Sequence, residues 1–550
     1  MKPDDRSIDC LRWLVVVPLL LTCNWALGAA AELSAKPASI LKSWADQGDG
    51  TYVNPIVPAD FSDLDAIRVE NDFYAISSTF QFSPGVVILH STDLVSWQIV
   101  GHAVDDLTRI SPELNWNQMN RYAHGIWAGA IRYHSGRFWI YFGTPDEGFF
   151  VTSSEKAAGP WEPLRPLWLV KGWDDCCPFW DDDGKGYFVC SNFAGGYKIH
   201  LFRLSDDGLK LLPGVDSVIH QSRGSEANKL YKIDGLYYHY FSEIHAEGRV
   251  AMMERAKTLA GPWEIHQLNH VNKKIDKEPN QGGLIQLASG DWWFVTHQGT
   301  GDWEGRAMVL LPVTWIDGWP IIGAVGTDGI GNMIWRNKKP IAGNPTFFPQ
   351  SNDEFARPAL APQWEWNYQP RADKWSLTEH RGYLRLHAFQ PLKPDDLLKV
   401  GNILTQRSMR TQSNQVTVEL NLAGMVDGQS AGICHFAKSY SGCRVAQSGG
   451  VRRLTILGLG KPTDSKSIDT ETIWLGSEWD FSGESEYIYS TDGAHFTKFG
   501  PPYRLAWGNY RGDRIGLFTY NNLEDAGYVD FRRFVYSFSE PQEPSTDQKQ

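Results

Sequence analysis

The stretch NPIVPADFSDLDAIRV, Asn54 to Val69, decides the fold, because the phrase it opens is written five times. Asp63 stands at its centre. A short apolar segment (Ala66, Ile67), a polar turn (Glu70, Asn71, Asp72) and an aromatic strand (Phe73 to Ile76) follow. Such alternation around a turn of this composition predicts a β-hairpin. The unit returns as WAGAIRYHSGRFWIYF from Trp127, DCCPFWDDDGKGYFV from Asp175, EANKLYKIDGLYYHYF from Glu226 and QGGLIQLASGDWWFV from Gln281. The copies start about 50 to 65 residues apart, the length of a four-stranded sheet with its loops, and a repeat of that period indicates a propeller or a solenoid. Period-two hairpins with Gly, Asp or Asn at the turn make each copy a β-blade. Five blades closing radially predict a five-bladed β-propeller in an all-β chain, an architecture that leaves only short, protected edges.

In such a ring the first strand of each blade lines the central axis, so residues at one register converge at one mouth. The converging set is Asp63, Trp127, Asp175, Glu226 and Gln281. Like charges brought together repel, so three acids at one register are a poor way to stabilise a fold and point to a site. Cutting a glycosidic bond requires one carboxylic acid to protonate the departing oxygen and one carboxylate to activate water or attack the sugar. Asp63 as general base and Glu226 as general acid, on blades one and four, are expected to face each other across the pocket, and the wide gap favours inversion. Asp175, beside Glu226, is expected to raise that acid's pKa. Trp127 offers a flat apolar face to a sugar ring. Arg306 reads either as a fork for ring hydroxyls or as a counter-ion to an axial acid, and Gln281 and Phe80 complete the candidate substrate-binding set. No metal ligands are assigned: His124, His245 and His297 read as hydrogen-bonded residues, because no paired carboxylate or histidine spacing accompanies them.

The 550 residues carry a net charge of -12, with basic residues scattered and not blocked, which argues against nucleic acid as a partner. Aromatic content of 13% suits both strands and sugar-stacking surfaces. Residues 1–31 read as a signal peptide: Lys2, Arg6 and Arg12, an apolar run from Trp13 to Cys23, then small residues to Ala31. With no later apolar run of membrane-spanning length, the mature protein is expected to be secreted, or periplasmic in a bacterium, with no membrane partner. The propeller is assigned to 32–340. From Asn337 to Asp353 the composition turns to Pro, Asn and Lys and the repeat stops, so 341–352 form a linker. Short alternating segments over 353–540 predict a β-sandwich, and 541–550 a disordered tail. The polar segment Val104 to Arg121 is expected to form a rim loop over the axis. Of the seven cysteines, Cys434 with Cys443, and Cys176 or Cys177 with Cys190, are open pairings that spacing does not choose between.

At this point the residues resemble the family 43 glycoside hydrolases. NPIVPADFSDLDAIRV is similar to that family's opening motif with its base aspartate, GIWAGAIRYHSGRFWIYF to its second-blade phrase, DDCCPFWDDDG to the segment bearing the pKa-modulating aspartate, and GSEANKLYKIDGLYY to that bearing the acid glutamate. The resemblance implies Asp63 as base, Asp175 as modulator, Glu226 as acid and Arg306 as a contact to the terminal sugar. It further implies an appended concanavalin-like sandwich, as in the xylosidase and arabinofuranosidase branch. Leu64 replaces the proline usual after the base. Gln281 stands where many members have a histidine associated with an axial calcium or water, which weakens the case for calcium; no cofactor is required. The expected function is exo-acting, inverting removal of a terminal β-D-xylose or α-L-arabinofuranose from xylan, arabinoxylan or arabinan fragments. An endo-acting arabinanase and a sugar-binding propeller without turnover are the alternatives.

Overall fold

The structure, a computed structural model, describes residues 44–271, 279–298, 302–343, 345, 347–458 and 465–539. The proposed signal peptide and C-terminal tail lie outside them. Among the described residues the only helices are short 3-10 turns, and the rest of the regular structure is strand.

Four antiparallel sheets of four strands follow the repeats: Asp65–Val69 to Gln98–Val104, Gly129–His134 to Arg165–Trp168, Asp174–Trp180 to Leu211–Gln221, and Glu226–Ile233 to Glu264–Gln267. The fifth blade is built from Gly282–Gln286, Trp292–Gln298 and Ala307–Ile316, and its outer edge is shared. The strand Trp319–Ile322 covers one half of Ala307–Ile316, and the N-terminal strand Val57–Asp60 covers the other, with Val57 opposite Met308 and Asp60 opposite Ala307. A strand from before blade one thus closes the ring on blade five and delivers Asp63 to the axis.

The C-terminal region forms two sheets of eight and seven strands. The edge strand of the eight-stranded sheet is Phe82–Ser83, from within blade one, paired to Glu365–Asn367. One apolar core runs through both regions, placing Phe61, Trp97 and Trp303 of the propeller with Trp366, Leu404 and Trp479 of the sandwich. Beside it lies a buried charged layer. Glu365 accepts from Arg407 (2.9 Å) and Arg514 (2.7 Å), with His102 of blade one at 3.1 Å, and Arg407 also donates to the Asp60 carbonyl at 2.7 Å.

The Val104 to Arg121 segment packs on the sandwich: Trp116 donates its backbone N–H to the Gln369 carbonyl and packs edge-on against Phe389, because the sandwich offers that indole an apolar and cationic seat. All five described cysteines are free and buried. Cys434 lies opposite Gly442 and Cys443 opposite Ile433, so in a pleated pair their side chains point to opposite faces. They enter different apolar clusters.

Candidate active site

The acids reach one mouth of the axis through a local device repeated between blades. The ladder slips between Asp174 and Cys177 in blade three and between Glu226 and Lys229 in blade four. Each bulge contains a non-glycine residue in the left-handed region, Asp175 (φ 49°) and Ala227 (φ 71°), and Asp63 (φ 56°) adopts it just before the first strand of blade one. Such backbones cost on the order of 1–3 kcal/mol each and cluster at functional sites. Bulges re-aim side chains, and here they turn a strand start into a carboxylate mount.

Asp63 is fixed from both ends. Its backbone N–H donates to His297 Nδ1 at 2.9 Å, and its carboxylate receives Arg306 at 2.5 Å. Burial, then Arg306 and Lys229, hold His297 well below its usual pKa, so it is neutral and Nδ1 is free to accept. Asp175 is enclosed: one carboxylate oxygen accepts from Ala227 N–H (2.5 Å) and from Gln281 Nε2 (2.6 Å). Gln281 in turn accepts from the buried ammonium of Lys229 at 3.2 Å. Burial, then the charges of Glu226 and Asp63, raise Asp175 to about 7. Asp175 is thus itself a carboxyl pushed up by its enclosure. Glu226 keeps 22% of its side chain exposed and receives Arg249 and Asn280, each at 3.3 Å.

The remaining candidates divide. Trp127 is half-buried on the pocket wall, its indole donating to the Ala123 carbonyl, with Phe193 at 6.1 Å and Tyr510 at 6.4 Å. Arg306 serves as the counter-ion to Asp63, with the Tyr510 ring 5.5 Å from its guanidinium. Gln281 is buried and bridges Lys229 to Asp175. Phe80 is buried as well, with the Arg511 guanidinium 4.5 Å from its ring. His124 meets Asp146 at 2.6 Å and His245 meets Glu243 at 2.7 Å; among the described residues no cluster of His, Cys, Asp and Glu is arranged to hold a metal.

Sequence reasoning missed several residues. Lys229 and Asn228 read as ordinary strand positions, yet Asn228 donates to the Asp175 carbonyl at 2.7 Å and to the Ser191 hydroxyl at 2.8 Å, and its Oδ1 meets His239, which in turn meets Glu254. Tyr510 comes from the sandwich, is half exposed, and reaches the pocket between Trp127 and Arg306. Its neighbour Arg511 is buried against Asp60 at 2.6 Å, and Asp60 holds the Ser62 hydroxyl (2.9 Å) and the Arg306 N–H (3.2 Å).

A ring of blades that brings Asp63, Asp175 and Glu226 to one mouth of its axis, beside aromatic and guanidinium groups, has the form of a propeller glycoside hydrolase. The comparisons carry this to a family. The family model for glycosyl hydrolases family 43 matches residues 52–320, and that for the β-xylosidase C-terminal concanavalin A-like domain matches 352–537. A β-xylosidase of Formosa agariphila is 33% identical over 96% of this chain and 98% of its own length. A non-reducing end α-L-arabinofuranosidase of Bacteroides ovatus is 31% identical over 61% of this chain and 65% of its own. A solved bifunctional GH43-CE protein of Bacteroides eggerthii superimposes with a TM-score of 0.79 at 27% identity, over 88% of this chain and 64% of that one. The chain belongs to glycoside hydrolase family 43.

Proposed function

We propose that this chain is an inverting, exo-acting glycosidase that removes a terminal pentose, β-D-xylose before α-L-arabinofuranose, from xylan, arabinoxylan or arabinan fragments. The observation that carries the reading is the sandwich residue Tyr510, whose ring stands 5.5 Å from the guanidinium of Arg306, the partner of Asp63, and 6.4 Å from the Trp127 ring. A ring set there narrows the mouth, and a narrowed mouth admits a chain end more readily than the middle of a polymer. In this scheme Glu226 protonates the departing oxygen while Asp63 takes a proton from the attacking water. The negative charge of Glu226 is one cause of the raised Asp175, so ionising both carboxyls at once is costly and a proton is retained in this part of the pocket near neutral pH. Trp127 supplies a stacking face, and Arg306 both orients Asp63 and lies within reach of sugar hydroxyls. The preference for xylose rests on the printed names of the 33% and 34% identical relatives, both β-xylosidases, the second marked putative.

The test is hydrolysis of 4-nitrophenyl β-D-xylopyranoside and α-L-arabinofuranoside, with Asp63→Asn as control and NMR of the first-formed sugar. The expected result is turnover abolished in the control and initial release of α-xylose from the β-xyloside. Initial β-xylose would exclude inversion, and early oligosaccharides from xylan or arabinan would exclude exo action.

A further inference from the structure

Beside the three acids at the shared register stands a fourth that the scheme above does not use. Asp174 opens the first strand of blade three opposite Ser191. Consecutive residues of a regular strand face opposite sides, which would turn Asp174 away from the pocket that Asp175 serves. The bulge removes that alternation, and both carboxyls feel Glu226 and Asp63.

On one side the Asp174 backbone packs under Gly143: a Cβ built on that glycine would lie 3.1 Å from the Asp174 Cα, and the Gly143 carbonyl accepts the Trp127 N–H at 2.9 Å. On the other side Asp174 meets the charges of Glu226 and Arg249, and Tyr197 faces the same group. Asp174 thus belongs to the wall between the Trp127 platform and Glu226. It is 7% exposed, and its Oδ1 has no hydrogen-bond partner among the described residues. A buried carboxyl oxygen left unsatisfied is costly, and native folds rarely retain one without a use.

We propose that Asp174 is a substrate-contacting residue that presents its carboxyl to a hydroxyl of the terminal sugar. This rests on the pocket being the active site. Burial, then the charges of Asp175, Glu226 and Asp63, push the Asp174 carboxyl well above 3.8. That favours the protonated form, in which the carboxyl can both donate to and accept from a sugar hydroxyl. It complements Arg306, which only donates.

The experiment compares Asp174→Asn and Asp174→Ala with the parent enzyme on the two nitrophenyl pentosides, whose aglycones carry no hydroxyls. Melting temperatures serve as the folding check. Asparagine keeps a donor and an acceptor without charge, so its KM should stay within about threefold, whereas alanine should raise KM roughly tenfold at an undiminished melting temperature. In an Asp63→Asn background, calorimetry with xylobiose should show the same ranking without turnover. An alanine variant with unchanged KM and unchanged xylobiose affinity would overturn the proposal, as would an asparagine variant as impaired as alanine. Turnover surviving Asp63→Asn would instead overturn the active-site reading itself, whatever Asp174 does.

Discussion

Replacing Asp175 with asparagine should make the protein more stable above neutral pH while disabling it. The native carboxyl is raised from 3.8 to about 7, first by burial and then by Glu226 and Asp63. Between those pH values the folded chain holds a proton that the unfolded chain releases, so stability falls as pH rises through the window and the full cost is expressed above pH 7. A rise of about three pKa units corresponds to about 4 kcal/mol of destabilisation at pH 8, of which less than half has accrued at pH 5. Asparagine carries no charge, and its carbonyl oxygen can still accept from Ala227 N–H and Gln281 Nε2. The variant should therefore gain stability over the parent, by about 2 to 3 kcal/mol more at pH 8 than at pH 5. Urea denaturation of both proteins at the two pH values measures this, with activity expected to fall roughly a hundredfold. An equal gain at both pH values, or no gain at pH 8, would refute the assignment of the buried proton to Asp175.

Glu226→Gln should cost roughly 10²- to 10⁴-fold on xylobiose, whose leaving group needs protonation, and far less on nitrophenyl pentosides; equal losses would remove Glu226 from the acid role. Lys229→Met removes a cation that lowers Asp175, so the limb of the pH–kcat/KM profile that follows Asp175 should move to higher pH, and a limb that stays in place would show that Lys229 does not tune the site. Glu365→Leu leaves Arg407 and Arg514 buried without their carboxylate and should destabilise by about 3–5 kcal/mol; a loss under about 1 kcal/mol in chemical denaturation would show the charged layer to be dispensable.

The propeller was legible because hairpin periodicity is a local signal, and the same period located Asp63, Asp175 and Glu226 without any contact being known. What it could not show was the backbone at those residues. Strict alternation assigns Asp174 and Asp175 to opposite faces, and only the bulge overturns that, so the fourth acid stayed hidden in plain view as a DD pair. Gln281 sat at the shared register and was read as a sugar contact; its hydrogen bonds to Lys229 and Asp175 come from other blades and leave no trace in the local pattern. Phe80 is a similar case: its ring meets Arg511, which lies more than 400 residues along the chain. Tyr510 belongs to the same class of long-range neighbour, and no short-range rule selects it from the other 20 tyrosines.

The closing strand Val57–Asp60 also has a meaning in time. During synthesis it emerges first among the propeller strands, yet its partner Ala307–Ile316 belongs to the last blade, so the ring cannot shut until blade five has left the ribosome. Even then Asp60 faces Arg511 and Arg407, which arrive later still. Contacts of such high sequence separation form late and slowly, and domains that fold vectorially expose unpaired edges while they wait. Asp63 is thus carried on the segment whose seat is the last to be built, and a nascent chain with four finished blades would still lack the place for its carboxylate.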